Sequence, residues 1–145
     1  MLNQAIDGLK DDLISAIQES VRIPSVAGTP EKDAPFGQEV KRALDHALNL
    51  AGSMGFRTKN VDNMAGYAEW GDGEEIVAVL GHLDVVPEGS GWTYAPYGGD
   101  IHDEKIWGRG VLDDDRHGLV SVVSTSGWCG WFTWRKRHGW CSEFG

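Results

Sequence analysis

The chain has 145 residues, 41% of them hydrophobic, which suits one domain with a core of its own. A formal net charge of −9 argues against nucleic acid or an anionic membrane surface as a partner. No apolar run approaches the ~20 residues that cross a bilayer, and the N-terminus lacks a basic-then-apolar signal pattern, so a soluble, cytoplasmic protein is expected.

Leu2, Ile6, Leu9, Leu13, Ile17 and Val21 recur at helical spacing and predict an amphipathic first helix that Ile23-Pro24 ends. Ser25 to Pro35 is proline-rich and reads as a loop. A second helix carries Val40, Leu44, Ala47, Leu48, Ala51 and Met54 on one face, with Gly55 as its stop. His46, among polar neighbours on that helix, reads as a solvated or partly packed histidine. Phe56 to Val61 and Ala65 to Trp70 look like two strands about a turn at Asp62-Asn63, and Gly71-Asp72-Gly73 turns into the next. Helix, helix, strand, strand, strand predicts an α/β class, a partial α/β sandwich with a mixed sheet.

The stretch from Ile76 to Asp115 carries the chemistry. Ile76 to Leu80 is short, apolar and β-branched, the pattern of a strand buried on both faces. Gly81 breaks it, and His82 and Asp84 follow at alternate positions, so an extended backbone projects both to one side. In open α/β sheets the binding crevice lies outside the carboxyl ends of strands, where this pair falls. Trp92 and Tyr94, with Pro87 and Pro96, punctuate a long loop, as aromatics that pack it onto the sheet or as walls of a substrate pocket. Asp100 to His102 and Ile106-Trp107 outline a hairpin turned by Asp103-Glu104-Lys105. Glycines on both sides of Arg109 then allow a tight turn before Asp113-Asp114-Asp115. Neutral His and ionised carboxylate suit zinc, and one carboxylate can bridge two ions, but a lone H-x-D is short of the three protein ligands such a site needs.

Gly81-His82-Leu83-Asp84-Val85-Val86-Pro87, Gly91-Trp92 and Gly108-Arg109-Gly110-Val111-Leu112-Asp113-Asp114 closely resemble the co-catalytic zinc peptidase family of aminoacylases, amino-acid deacylases and bacterial dipeptidases. Within it, Gly66-Tyr67-Ala68-Glu69-Trp70 and the spacing are most similar to the PepV-type dipeptidases. The resemblance covers Met1 to about Asp114 and implies that His82 binds a zinc ion, that Asp84 is the catalytic-site acid orienting its imidazole, and that Asp113 bridges two zincs. It also implies a cis Asp113-Asp114 peptide, and it puts the Ser25–Pro35 loop near the active-site entrance. The implied cofactor is a pair of zinc ions, and the implied substrate is a small peptide or an N-acyl amino acid.

After the acids the family pattern calls for Lys-Gly, whereas Asp115-Arg116-His117-Gly118 stands here. The family's remaining ligands and its general base have no counterparts, and His102 and His117 receive no role. Residues 1–115 therefore read as the N-terminal part of a zinc peptidase catalytic domain, and 116–145 as a divergent tail, frame-shifted or disordered. The tail holds Arg116, Arg135, Lys136 and Arg137 against Glu143, both cysteines, and four of the seven tryptophans, Trp128, Trp131, Trp134 and Trp140. Cys129, His138 and Cys141 match no zinc spacing, and two cysteines in a cytoplasmic chain imply no disulfide. The expected function is a zinc-dependent dipeptidase, incomplete and inactive as this chain. The alternatives are an N-acyl amino acid deacylase of the same family and a non-catalytic binding module.

Overall fold

Helix α1 spans Lys10–Val21 and helix α2 spans Gln38–Ser53 in the computed structural model, which describes residues 8–112 and the backbone of 134–135. Asp11 and Asp12 stand in the first turn of α1, where carboxylates complement the helix dipole. Ala16, Ile17 and Val21 form its buried stripe, and the helix stops short of Pro24 as expected; Leu2 and Ile6 lie outside the described residues. Helix α2 buries Ala43, Leu44 and Ala51, and its backbone leaves the helix through Met54 and Gly55, the latter at φ 90°. At its other end Gly37 sits at φ 94°, and a Cβ there would stand 2.9 Å from the backbone of Gly28. Only glycine lets the two ends of the 28–37 loop approach so closely.

Strands β1 (Arg57–Val61) and β2 (Ala65–Gly71) form an antiparallel hairpin with Val61 opposite Ala65. Asp62 and Asn63 take φ values of 55° and 54° in its turn, a conformation that Asp and Asn tolerate better than most residues. Helix α2 covers one face of the hairpin, where Ala51, Phe56 and Ala68 form a core cluster with Leu50 and Met54 against it. Strands β3 (Ile76–Val77) and β6 (Trp134–Arg135) extend the sheet in the order β1-β2-β6-β3, with β6 parallel to β2 and antiparallel to β3. The sheet is therefore mixed, in an α/β arrangement. Strands β4 (Asp100–His102) and β5 (Lys105–Trp107) make the separate small hairpin, turned by Asp103 and Glu104 at φ 50° and 60°.

One expectation is overturned. The run Ile76 to Leu80 is a strand only at Ile76–Val77, and it is not buried on both faces: Ile76 is 55% exposed and Leu80 93%. An apolar run becomes a buried strand only when neighbours pair its backbone and layers cover its faces. The described residues offer β3 just the two residues of β6 as ladder partners.

Helix α1 anchors the downstream part of the chain. Ile17 and Val21 pack with Leu13, Leu50, Ile106 and Val111. The Gln18 side-chain amide donates to the Gly99 carbonyl at 2.6 Å, and the Arg22 guanidinium to that of Gly98 at 3.1 Å. Gly108 lies so close that a Cβ would come within 2.2 Å of Val21 Cγ1. Gly108→Ala is expected to destabilise the chain by about 1–3 kcal/mol through overpacking. Adding Val21→Ala should recover part of that loss, so urea denaturation of the two single variants and the double should give non-additive changes.

His46 is half-buried on α2, and its Nε2 has no hydrogen-bond partner among the described residues. Burial pushes its pKa below the ordinary 6.5, against the opposing charge of Glu19. The folded chain thus favours neutral His46. Its contribution to stability is complete above pH 6.5 and declines as pH falls below that value. His46→Leu should flatten the stability profile between about pH 5 and 7, measured by denaturation across that range.

Candidate active site

Residues 81–84 form no regular secondary structure and Val85 makes an isolated bridge, and the side chains of His82 and Asp84 meet on one side of this segment. His82 Nδ1 lies 2.9 Å from the Asp84 carbonyl oxygen and 3.4 Å from its Oδ1. Both oxygens accept only, so this contact favours the neutral tautomer with its proton on Nδ1. A carboxylate or carbonyl on one nitrogen is how metal-ligating histidines are held in tautomer and orientation. Both side chains are about half exposed, so the pair is accessible.

The backbone of this pair is gripped from a distance that sequence spacing does not reveal. Ser25, 2% exposed, donates its hydroxyl to the Leu83 carbonyl at 2.7 Å, and its own carbonyl accepts the Val85 N–H at 3.1 Å. Val26 and Val85 form an isolated parallel bridge beside it. A serine after Ile23-Pro24 carries no motif signal, and it was not among the residues singled out above.

The loop that follows is closed onto the second motif. The Glu88 carbonyl accepts both the Trp92 indole N–H at 2.7 Å and Arg109 Nη2 at 2.9 Å. The Arg109 guanidinium stands 5.2 Å from the Trp92 ring centre, a cation–π contact, and its backbone N–H donates to the Pro96 carbonyl at 2.7 Å. Tyr94 stacks on His102 at 3.7 Å and meets Trp107 edge-on at 4.9 Å. Trp92 and Tyr94 therefore pack the loop. His102, without a role in the motif, is part of that packing.

Asp113, the expected bridging ligand, and its peptide to Asp114 lie outside the described residues, as do His117, Cys129, His138 and Cys141. Among the described residues no group of three His, Cys, Asp or Glu side chains gathers to hold a metal ion. His82 and Asp84 thus fit one zinc ligand with its orienting acid, and a complete zinc site needs at least three protein ligands. Beside the pair opens an apolar cavity of about 330 Å³, walled by Phe36, Leu44, Leu48, Met64, Tyr67 and Leu80.

Residues 78–125 match Peptidase family M20/M25/M40, a span that includes the H-x-D segment and the glycine-flanked Arg109. The matched segment belongs to this family. The match runs past Asp114, beyond the limit drawn from the motifs alone. Among curated proteins, "Putative dipeptidase YtjP" of Bacillus subtilis is 46% identical over 107 residues, which are 72% of this chain and 23% of that protein. A "Putative dipeptidase" of Staphylococcus epidermidis is 44% identical over 112 residues, 77% of this chain and 23% of its own length. The chain spans about a quarter of the length of these relatives. The crystal structure of human carnosine dipeptidase 1 superposes with a TM-score of 0.66 at 25% identity, covering 91% of this chain and 33% of that one.

Within the matched segment the Glu88 carboxylate is held by two hydrogen-bond donors. Its own backbone N–H and the Tyr97 hydroxyl, 3.0 Å away, hold its pKa below the usual 4.5 for a glutamate, with Arg109 adding to the effect. Burial and the same hydrogen bond raise the Tyr97 phenol above its ordinary value of 10.0. The depressed Glu88 value means that this contact supports the fold above pH 4.5 and is lost as the carboxyl protonates at lower pH. Tyr97→Phe should raise the Glu88 pKa toward the ordinary value, read by NMR titration of the side-chain carboxyl carbon, while leaving the Trp92 and Arg109 contacts to the Glu88 carbonyl in place.

Proposed function

We propose that the chain supplies the first part of a zinc-dependent dipeptidase site, with His82 as a metal ligand, Asp84 orienting its ring and Asp113 bridging two zinc ions. The observation that carries this reading is the His82–Asp84 pair, in which Nδ1 faces two acceptor oxygens and the lone pair is assigned to Nε2. Membership of a peptidase family and relatives named as dipeptidases support a small peptide as the substrate class. Zinc, when bound, polarises a scissile carbonyl and lowers the pKa of a coordinated water. The chain's own residues have a narrower task. Asp84 keeps the imidazole proton on Nδ1, Ser25 holds the backbone between the two residues, and the Arg109–Glu88–Trp92 contacts tie the intervening loop to the segment that leads to Asp113. No helix among the described residues is long and apolar enough to cross a membrane, and we assign the protein to the cytoplasm.

His82 and Asp113 are the only zinc ligands that the family resemblance assigns in this sequence, so the 145-residue chain by itself is proposed to lack a dinuclear site and to turn over dipeptides negligibly. Zinc titration at neutral pH should find at most one weakly held ion, lost in His82→Ala and weakened in Asp113→Ala. Two tightly bound zincs with chelator-sensitive dipeptide hydrolysis would mean that this chain completes the site. Zinc binding indifferent to both substitutions would remove the metallopeptidase reading.

A further inference from the structure

We propose that Ser25 is a positioning residue for the His82–Asp84 pair, and that it selects the histidine tautomer by fixing two successive peptide planes. The inference rests on the zinc-ligand reading of His82 for its functional meaning, but its geometry stands independently.

The Ser25 hydroxyl donates to the Leu83 carbonyl at 2.7 Å, which sets the plane of the peptide joining Leu83 to Asp84. The Ser25 carbonyl accepts the Val85 N–H at 3.1 Å, which sets the plane of the peptide joining Asp84 to Val85. In a trans peptide the N–H and C=O point in opposite directions. Pulling the Val85 N–H toward Ser25 therefore turns the Asp84 carbonyl away from Ser25. That carbonyl is the oxygen that lies 2.9 Å from His82 Nδ1. One residue thus holds Asp84 on both sides, and the freedom it removes is the rotation that would take the carbonyl off the imidazole.

Two features make Ser25 suited to this. It is 2% exposed, so water does not compete for its hydroxyl, whereas His82 and Asp84 are half exposed and would otherwise be free to trade their mutual contact for solvent. It also sits between buried Ile23 and the Val26–Val85 bridge, so its own backbone is held by packing from one side and pairing from the other. A short ladder of this kind is the only backbone pairing that the described residues give to the 81–85 segment, which joins neither sheet. Alanine at position 25 would keep the main-chain bond to Val85 and lose the hydroxyl bond to Leu83. The Leu83–Asp84 peptide would then be free to rotate, and with it the direction of the Asp84 side chain.

The test is the tautomer of His82 in the full 145-residue chain, read at a pH where the ring is neutral by long-range proton–nitrogen NMR of the imidazole. The unsubstituted chain should hold the proton mainly on Nδ1. Ser25→Ala should lower the ratio of Nδ1–H to Nε2–H forms about fivefold, the scale of one neutral hydrogen bond, and Ser25→Thr, which keeps the hydroxyl, should restore it. Ile23→Val trims buried packing beside the same strap without touching either hydrogen bond, and should leave the ratio unchanged. A folded Ser25→Ala chain with an unaltered ratio would overturn the proposal, as would an Ile23→Val chain that shifts it equally. If Ser25→Ala does not fold, Ser25→Thr decides: an unchanged ratio supports the role and a shifted one refutes it. Failure of zinc to bind would remove the metallopeptidase reading and leave the tautomer result intact, so the two can fail separately.

Discussion

The contact on which the arrangement depends is the seat of Val21 against Ile106, Val111 and the bare backbone of Gly108. Val21 is 1% exposed, and burying a side chain of its size is worth about 1.5–3 kcal/mol. Its position in the chain matters as much as that energy. Four residues further on, the same segment reaches Ser25 and holds the backbone of the H-x-D pair. Helix α1 and its exit therefore touch both motifs, so one short segment holds two parts of the candidate site that lie well apart in sequence.

Around that anchor, polar groups are satisfied locally rather than by a sheet. Among the described residues, Leu83 and Val85 bond to Ser25, and the loop after them converges on the Glu88 carbonyl, which uses both lone pairs on Trp92 and Arg109. Arg109 then covers the Trp92 face, an interaction of about 0.5–1 kcal/mol at an accessible site. Each contact is modest. Together they specify one conformation for a glycine- and proline-punctuated loop that has no regular structure of its own.

Apolar surface is distributed unevenly. The core clusters are small, while Leu80, Leu112, Val86 and Ile76 stand largely exposed along the chain that carries the two motifs. Single exposed apolar residues are ordinary, but Phe36, Met64, Tyr67 and Leu80 are exposed around one cavity and make a surface whose energetics depend on what lies against it. Among the described residues the buried clusters are built from α1, α2 and the β1–β2 hairpin, with Ile106 and Val111 packed against α1.

What the sequence by itself determined was whatever depends on neighbours in the chain. Helical periodicity located α1 and α2 and their stops, Asp62-Asn63 and Asp103-Glu104 located the two turns, and alternation put His82 and Asp84 on one side. Two motifs at a characteristic separation also identified the peptidase family. The tertiary structure decided what depends on residues distant in the chain. It limited the Ile76 strand to two residues, because burial of an apolar run requires partners that composition cannot supply. It also brought Ser25 to Leu83 and Arg109 to Glu88. A serine or an arginine has many possible acceptors, and only the packing of α1 against the second motif chooses among them.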